Sequence, residues 1–220
     1  MRIVALTDLH GSAKPISTLA EPISEADLVL LCGDLTNFGG RRQAADILEA
    51  ALELNDGVLA VPGNCDRPEV EHYLAAQNVS IHAAHRVRDG VAFLGLGGSL
   101  PCPANTPYEF GEEELAESLG QAARGLDPDL SWVLVSHQPP QDTAVDRVRS
   151  GQHVGSRSVR EFIERHRPLV CFSGHTHESI GTDSIGPTRL ANPGPAREGG
   201  CVWAEIEDGE LTALELRSGG

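Results

Sequence analysis

Residues 2–10 read RIVALTDLH, an apolar run of strand length that ends in a carboxylate and an imidazole. The same pattern returns at four later points, where a short run rich in Val, Ile and Leu is followed within three residues by Asp, Asn or His. Such runs are too short for helices and predict buried strands. Because ligands bind at the carboxyl ends of strands in an open α/β sheet, these polar residues are candidates for one shared site.

The remaining sequence predicts strands and helices in alternation, followed by strands alone. Strand runs stand at 2–6, 28–31, 58–61, 91–94, 132–135 and 169–172. Amphipathic helix patterns stand at 41–54, 112–124 and 159–165. The C-terminal part predicts a β-meander with strands at 188–191, 201–207 and 211–217. The fold class that we expect is an α/β sandwich with a partly antiparallel sheet, and no repeat or linker divides residues 1–220 into more than one domain.

Composition and charge narrow the classes of partner. The chain carries 17 Lys and Arg against 32 Asp and Glu, a net charge of −15, so duplex DNA is repelled on average. Aromatic residues make up 4% of the chain, which leaves little for stacking on single-stranded nucleic acid. The first residues resemble a strand rather than a signal peptide, and no apolar run has membrane-spanning length. We therefore expect a cytoplasmic protein without a membrane or nucleic-acid partner.

The cysteines also favour a cytoplasmic location. They stand at five positions, 32, 65, 102, 171 and 201. The odd number and the spacings match neither a disulfide framework nor a thiolate zinc site. A reducing compartment is therefore expected.

Seven side chains at the predicted strand ends are candidate metal ligands. They are Asp8, His10, Asp34, Asn64, His137, His175 and His177. Each motif alone is weak, because Gly-Asp is an ordinary turn and a buried His is often only a hydrogen-bonded core residue. Their occurrence in this order, each after a strand run, favours a site. Carboxylate, imidazole and amide oxygen suit manganese, iron, zinc, nickel or cobalt, and seven ligands suit two ions that share a carboxylate.

A pair of divalent ions suits hydrolysis at phosphorus. Two ions about 3.5–4 Å apart bind the attacking and leaving oxygens of an in-line displacement, and they lower the pKa of a bridging water toward neutrality. The ions also supply the positive charge that phosphate requires. An acidic chain is therefore compatible with a phosphate ester as substrate.

Taken in order, the motifs resemble those of the calcineurin-like metallophosphoesterases. The family pattern is D-x-H, G-D, G-N-H-D/E, a lone His and G-H-x-H. The matching residues here are Asp8-Leu9-His10, Gly33-Asp34, Gly63-Asn64-Cys65-Asp66, His137 and Gly174-His175-Thr176-His177. The resemblance implies a four-layer αββα sandwich with two mixed β-sheets, and hydrolysis by a hydroxide that bridges two ions.

The resemblance also implies which residues bind each ion. One ion would be bound by Asp8, His10 and His177. The other would be bound by Asn64, His137 and His175. Asp34 would bridge the two ions.

Two departures from the family pattern bear on the substrate. The family's usual His after the Asn, which helps the leaving oxygen, is Cys65 here, a weak donor with an ordinary pKa of about 8.5. This resembles a small prokaryotic phosphodiesterase branch with a G-N-C-D motif, and it favours diesters or activated esters; Cys65 is either a catalytic residue or a small packing residue. No Arg follows Asp34 before Arg41, which argues against a phosphoprotein phosphatase.

Three further residues are candidates near the site. Asn37 is a candidate for a hydrogen bond to substrate. His153 is a candidate donor to phosphate beside the free N–H groups of the predicted third helix, where Ser156 or Ser158 is expected to cap; the alternative is an ordinary loop His. Asp66 is expected to hold a ligand in place.

These observations favour a phosphodiesterase acting on a small molecule or a nucleotide. Asp34, Asn64 and His137 are the expected catalytic residues, with Cys65 and His153 as further candidates. Manganese is the ion that we expect first. A phosphomonoesterase and a non-catalytic metal-binding scaffold, similar to the retromer-subunit branch, are the alternatives. The resemblance also leaves a homodimer open, because members of the family often pair, although no residue pattern here identifies an interface.

Overall fold

Two β-sheets lie against each other in the computed structural model, which describes residues 1–218. Within these residues the first sheet contains β1 (Arg2–Leu6), β2 (Leu28–Cys32), β3 (Val58–Val61), β10 (Gly200–Glu207) and β11 (Glu210–Ser218). The second sheet contains β4 (His85–Arg88), β5 (Val91–Leu96), β6 (Ser131–Ser136), β7 (Val170–Phe172), β8 (Gly181–Ile185) and β9 (Thr188–Asn192). Both sheets are mixed.

Each sheet contains a run of parallel strands; the first sheet has antiparallel strands at one edge and the second at both edges. The order of the first sheet is β11-β10-β1-β2-β3, in which β1, β2 and β3 are parallel and pair Val4 with Val29 and Leu30 with Leu59. The order of the second sheet is β4-β5-β6-β7-β9-β8, with β5, β6, β7 and β9 parallel. Every residue of β2 is buried, as expected for a parallel strand that is covered on both faces.

Helices cover the two outer faces and complete four layers. The helices are α1 (Lys14–Thr18), α2 (Ala20–Glu25), α3 (Arg41–Leu52), α4 (Pro68–Ala76), α5 (Glu112–Ala122) and α6 (Arg157–His166). The first four pack on the first sheet, and the last two pack on the second. Alternation along β1 shows the layering, because Val4 and Leu6 face the helices while Ile3 and Ala5 face the other sheet. Every helix among residues 1–218 is too short or too polar to cross a bilayer.

The expected fold class is confirmed, with one error in topology. The predicted strand runs and the three predicted helices are all present. The β-meander is wrong: β9 pairs with β7 and β8 in the second sheet, whereas β10 and β11 belong to the first. The reason is the connection after Asn192, where a turn and a 3₁₀ helix at Ala196–Glu198 carry the chain from one sheet to the other. A single domain over 1–220 stays a prediction, and its last two residues lie outside the described part.

Candidate metal centre

The seven candidate ligands lie at one edge of the molecule, where five strands end. Asp8, His10, Asp34 and Asn64 follow β1, β2 and β3 of the first sheet. His137, His175 and His177 follow β6 and β7 of the second sheet. The structure thus brings side chains from both sheets together, and they converge in two groups.

The first group consists of Asp8, His10 and His177. The Nε2 atom of His177 lies 3.0 Å from Oδ1 of Asp8 and 3.1 Å from Nε2 of His10. The same Nε2 of His10 is 3.7 Å from Oδ1 of Asp8. One carboxylate and two imidazoles therefore point at one small volume.

The second group consists of Asn64, His137 and His175. The amide oxygen of Asn64 lies 2.9 Å from Nε2 of His137 and 2.8 Å from Nδ1 of His175. Asp34 lies between the groups. Its Oδ2 is 3.8 Å from Nε2 of His10 in the first group, and its Oδ1 is 3.5 Å from Nε2 of His137 in the second. This is the grouping that the resemblance implies.

The contacts of His137 show why these side chains fit a cation. Nδ1 of His137 lies 2.9 Å from the carbonyl oxygen of Cys32, which only accepts, so Nδ1 is the donor in this contact. Nε2 is then the ring nitrogen directed at the oxygens of Asn64 and Asp34. A carboxylate oxygen, an amide oxygen and an imidazole nitrogen that point at one small volume are the atom types that divalent ions bind, so the residues present fit a bound divalent ion.

Burial sets the protonation of the ligands. It lowers the pKa of His10 to about 4 and that of His175 to about 3, so both imidazoles are neutral at pH 7 and keep a lone pair. Burial also raises the pKa of Asp34 to about 6. Burial opposes ionisation of Asp8 as well, but the hydrogen bonds from His177 and from the Thr7 hydroxyl hold the pKa of Asp8 below its usual value.

Four of the seven candidate ligands have left-handed backbone. The φ angles are 56° at Asp8, 47° at His10, 51° at Asp34 and 64° at His175. This region is uncommon for residues other than Gly, and strained residues of this kind gather at functional sites. The backbone there is held by bonds between the strand ends, such as the one from Asp8 N–H to the carbonyl of Gly33 at 3.0 Å.

Two glycines of the motifs are required by close packing. A Cβ at Gly33, where φ is +97°, would meet the ring of His137. A Cβ at Gly174 would meet the side chains of Thr7 and Asp8. The glycine that precedes each of these ligand motifs therefore makes room for a ligand from another strand.

Comparison with known proteins agrees with this geometry. The family model for calcineurin-like phosphoesterases matches residues 1–179. The chain belongs to the calcineurin-like phosphoesterase family. An uncharacterized protein of Methanocaldococcus jannaschii is 39% identical over 201 residues, which cover 89% of this chain and 88% of that protein.

Solved structures extend the comparison. A crystal structure from Thermus thermophilus has a TM-score of 0.76 at 21% identity and covers 100% of this chain and 99% of that one. The phosphopantetheinyl hydrolase of Mycobacterium tuberculosis has a TM-score of 0.59 at 17% identity, over 89% of this chain and 90% of that one. These two structures support the fold. Family membership and the Asp and His groups identify a metal-dependent phosphoesterase.

Asp66 stabilises the loops that present two of the ligands. Its buried carboxylate accepts hydrogen bonds from the N–H groups of Gly63 at 2.8 Å, Leu35 at 3.1 Å and Thr36 at 2.7 Å, and from the Thr36 hydroxyl at 2.8 Å. These contacts tie the loop after β2 to the loop after β3. Asp66 therefore acts on Asp34 and Asn64 through the backbone rather than by touching either side chain.

Cys65, which replaces the family's usual His, is buried against Asp34. Its residue is 8% exposed, and its N–H donates to Oδ1 of Asp34 at 2.7 Å. Burial raises the pKa of the Cys65 thiol, and the negative charge of Asp34 adds to the effect. The sulfur therefore stays protonated at neutral pH, which disfavours a role as thiolate nucleophile.

The expected anion site near His153 is already filled by a side chain. Ser156 caps α6, accepting from the N–H of Val159 at 3.2 Å. The Glu112 carboxylate accepts from the N–H groups of Arg157 at 2.8 Å and Ser158 at 2.9 Å. These N–H groups are not free to bind a phosphate, so the expectation that they would do so is wrong.

His153 and Asn37 are placed differently from the ligands. Nδ1 of His153 lies 2.6 Å from Oδ1 of the buried Asp146, and the His153 side chain is 28% exposed. Asn37 is exposed on the loop after Asp34, where its N–H donates to Gln43 at 3.3 Å. Neither side chain belongs to the two ligand groups.

Sequence reasoning missed a contact to Asn64 from a distant loop. The side-chain amide of Asn64 donates to the Thr106 hydroxyl at 3.0 Å. Thr106 lies in an irregular segment between β5 and α5 and belongs to no periodic pattern or ligand motif. Nothing in the local sequence signals this contact.

Proposed function

We propose that the chain hydrolyses phosphodiesters of small molecules or nucleotides with two divalent ions. The observation that carries the proposal is the convergence of two ligand groups on either side of Asp34, whose carboxylate oxygens lie within 4 Å of an imidazole nitrogen of each group. The ligands of one ion would be Asp8, His10 and His177, and those of the other Asn64, His137 and His175. When bound, such ions supply Lewis acidity toward the phosphoryl oxygens and acidify a water, with manganese the first candidate.

The chain's own residues have distinct roles in this proposal. Asp34 is the ligand shared by the groups, because its two oxygens lie 3.8 Å from Nε2 of His10 and 3.5 Å from Nε2 of His137. The carbonyl of Cys32 holds the ring of His137 by its Nδ1–H, which directs Nε2 into the second group. Asn64 supplies a neutral oxygen, the atom type that binds divalent ions without adding charge.

The nature of Cys65 supports a diester as substrate. A thiol is a weak hydrogen-bond donor, so it gives little help to a poor leaving oxygen. Phosphate esters with a good leaving group need that help least. We therefore propose diesters or activated esters ahead of ordinary monoesters, and a packing role for Cys65 beside its N–H bond to Asp34.

Two residues complete the proposal as candidate substrate contacts. His153 is held through Nδ1 by Asp146, which leaves Nε2 of a partly exposed ring for a phosphate oxygen. Asn37 is exposed on the loop that follows Asp34.

The cysteines at 32, 65, 102, 171 and 201 are all free, which supports a reducing cytoplasm as the compartment.

A paired turnover assay tests this function. Purified, metal-free protein is loaded in turn with Mn²⁺, Ni²⁺, Co²⁺ or Zn²⁺ and assayed on bis-p-nitrophenyl phosphate and on p-nitrophenyl phosphate. We expect metal-dependent hydrolysis with the higher kcat/KM on the diester. A higher kcat/KM on the monoester supports a phosphomonoesterase instead. Two bound ions per chain without turnover of either ester, or of a panel of cyclic nucleotides and nucleotide diphosphate derivatives, supports the scaffold alternative.

A further inference from the structure

A chain of side-chain hydrogen bonds runs from an irregular loop, residues 97–111, to the amide of Asn64. Nδ2 of Asn64 lies 3.0 Å from Oγ1 of Thr106. The same Oγ1 lies 2.5 Å from Oε1 of Glu109, which also accepts from the Thr106 N–H at 2.7 Å. The three residues therefore form a relay that ends in a carboxylate.

The chemistry of the carboxylate gives this relay a direction. An ionised carboxylate only accepts, so the single hydroxyl proton of Thr106 goes to Glu109. Hydrogen bonds from Thr106 and Cys102 oppose the effect of burial and hold the pKa of Glu109 below its usual value. Oγ1 of Thr106 then offers only lone pairs to Asn64. A hydroxyl in that state accepts from an amide NH₂ and repels an amide oxygen.

The consequence falls on the other end of the Asn64 amide. The oxygen and nitrogen of an Asn side chain have the same shape, so packing alone does not choose between the two orientations. With NH₂ directed to Thr106, Oδ1 faces Nε2 of His137 and Nδ1 of His175. In the opposite orientation the NH₂ group, which cannot bind a cation, would occupy that position.

The loop is held against Asn64 by its backbone as well. The N–H of Tyr108 donates to the carbonyl of Asn64 at 3.1 Å. The N–H of Phe110 donates to Ser99 at 2.8 Å, and that of Gly98 donates to Pro62 at 2.9 Å. These bonds do not involve the Thr106 hydroxyl. Its removal should therefore leave the loop in place and affect only the amide.

We propose that Thr106 and Glu109 are positioning residues that select the orientation of the Asn64 amide in which oxygen faces the second group. The inference rests on the proposed function only where it treats Asn64 as a ligand. Thr106 touches neither substrate nor ion; it acts through Asn64. A residue that supports a metal ligand in this way typically contributes about 10- to 100-fold to metal affinity.

The test uses two substitutions at one position and a matched control. Thr106→Val keeps the shape and removes the hydroxyl, Thr106→Ser keeps the hydroxyl, and Thr212→Val removes an exposed hydroxyl on β11. Calorimetric titration of the metal-free proteins with Mn²⁺ should show two ions per wild-type chain. We expect Thr106→Val to bind the weaker ion about 10- to 100-fold less tightly. Thr106→Ser and Thr212→Val should match wild type.

A second measurement reports the amide orientation without any metal. In ¹⁵N-labelled, metal-free protein the side-chain NH₂ of Asn64 should exchange slowly with solvent in wild type and in Thr106→Ser, and faster in Thr106→Val. Glu109→Gln should give faster exchange too, because a Gln amide can donate to Thr106 and reverse the relay. Thermal unfolding of each variant verifies that it is folded.

The two measurements separate this inference from the proposed function. Unchanged amide exchange in folded Thr106→Val overturns the positioning role, whatever the metal titration shows. Unchanged affinity for both ions in Thr106→Val overturns it as well. A third outcome is that wild type binds fewer than two ions, but the Asn64 amide exchanges faster in Thr106→Val than in wild type. In that case the amide orientation holds and the two-ion function fails.

Discussion

The two ligand groups are built from similar side chains but differ in charge and burial. The first group contains the Asp8 carboxylate, and its His177 side chain is 31% exposed. The second group has only neutral ligands of its own, and its His137 side chain is completely buried. Coulomb attraction to a carboxylate is strong in a buried site, so the first group should hold an ion without help. The second group depends on Asp34 for negative charge and on correctly oriented neutral donors.

This difference explains where the supporting contacts lie. The carbonyl of Cys32 orients His137, and Thr106 orients the amide of Asn64. In the first group, Asp8 accepts hydrogen bonds from the Thr7 hydroxyl at 2.8 Å and from the N–H of His175 at 3.2 Å. Neutral ligands bind weakly when misdirected, so orientation matters most where charge is lowest.

Removing Asp34 should have the largest effect, because both groups lose their shared carboxylate. We expect Asp34→Ala to lower kcat/KM on bis-p-nitrophenyl phosphate by at least roughly 1,000-fold, about 4 kcal/mol of transition-state stabilisation. Asp46→Ala, an exposed carboxylate on α3, is the control and should keep wild-type turnover. Wild-type turnover in purified Asp34→Ala would mean that Asp34 does not join the groups.

Single imidazole deletions separate the groups. His137→Ala should lose the weaker of two Mn²⁺ ions and at least about 100-fold in kcat, more than a residue that only supports a ligand contributes. His177→Ala should lower the affinity for the tighter ion instead, because it removes a ligand of the charged group. Metal analysis together with steady-state kinetics measures both effects, and exposed His72→Ala is the control. Equal loss of both ions in both variants would contradict two distinct groups.

The glycines offer a second way to perturb each group. Gly174→Ala directs a methyl group at Thr7 and Asp8, so it should lower the affinity for the tighter ion by about tenfold. Gly33→Ala directs a methyl group at His137 and should lower the affinity for the weaker ion. Overpacking of this kind costs about 1–3 kcal/mol of unfolding free energy, which chemical denaturation measures. If both variants weaken the same ion, the assignment of these glycines to separate groups is wrong.

Glu71 provides a buried carboxylate outside the groups, and its substitution should have the smallest effect on metal binding. Burial raises the pKa of Glu71 from its ordinary value of 4.5 to about 7, although Ser80 donates to it at 2.7 Å. Between these pH values the folded chain holds a proton that the unfolded chain has lost, so the unfolding free energy falls as pH rises through this window.

The test of Glu71 is a comparison across pH. In Glu71→Gln the unfolding free energy from urea titrations should change less between pH 5 and pH 8 than in wild type, and the variant should be the more stable protein at pH 8. Mn²⁺ stoichiometry should stay the same. A change in stoichiometry would show that Glu71 acts on the ligand groups after all.

The fold was predictable where hydrophobic pattern is strong and was missed where it is weak. Parallel strands such as β2 are buried on both faces, so their apolar runs are unambiguous. The missed strands β4 and β8 are polar edge strands that form because β5 and β9 offer hydrogen bonds to them. Helices α1 and α2 are only 5 and 6 residues long, too short for a periodic pattern.

The sequence by itself determined the elements and the set of candidate ligands, because strand formation and the residues after each strand are local properties of the chain. Only the tertiary structure decided that β1, β2 and β3 lie in one sheet and β6 and β7 in the other, and that their ends meet. It also decided the left-handed backbone at Asp8 and the contact of Thr106 with Asn64, 42 residues away. Such contacts depend on which strands become neighbours, and no local pattern carries that information.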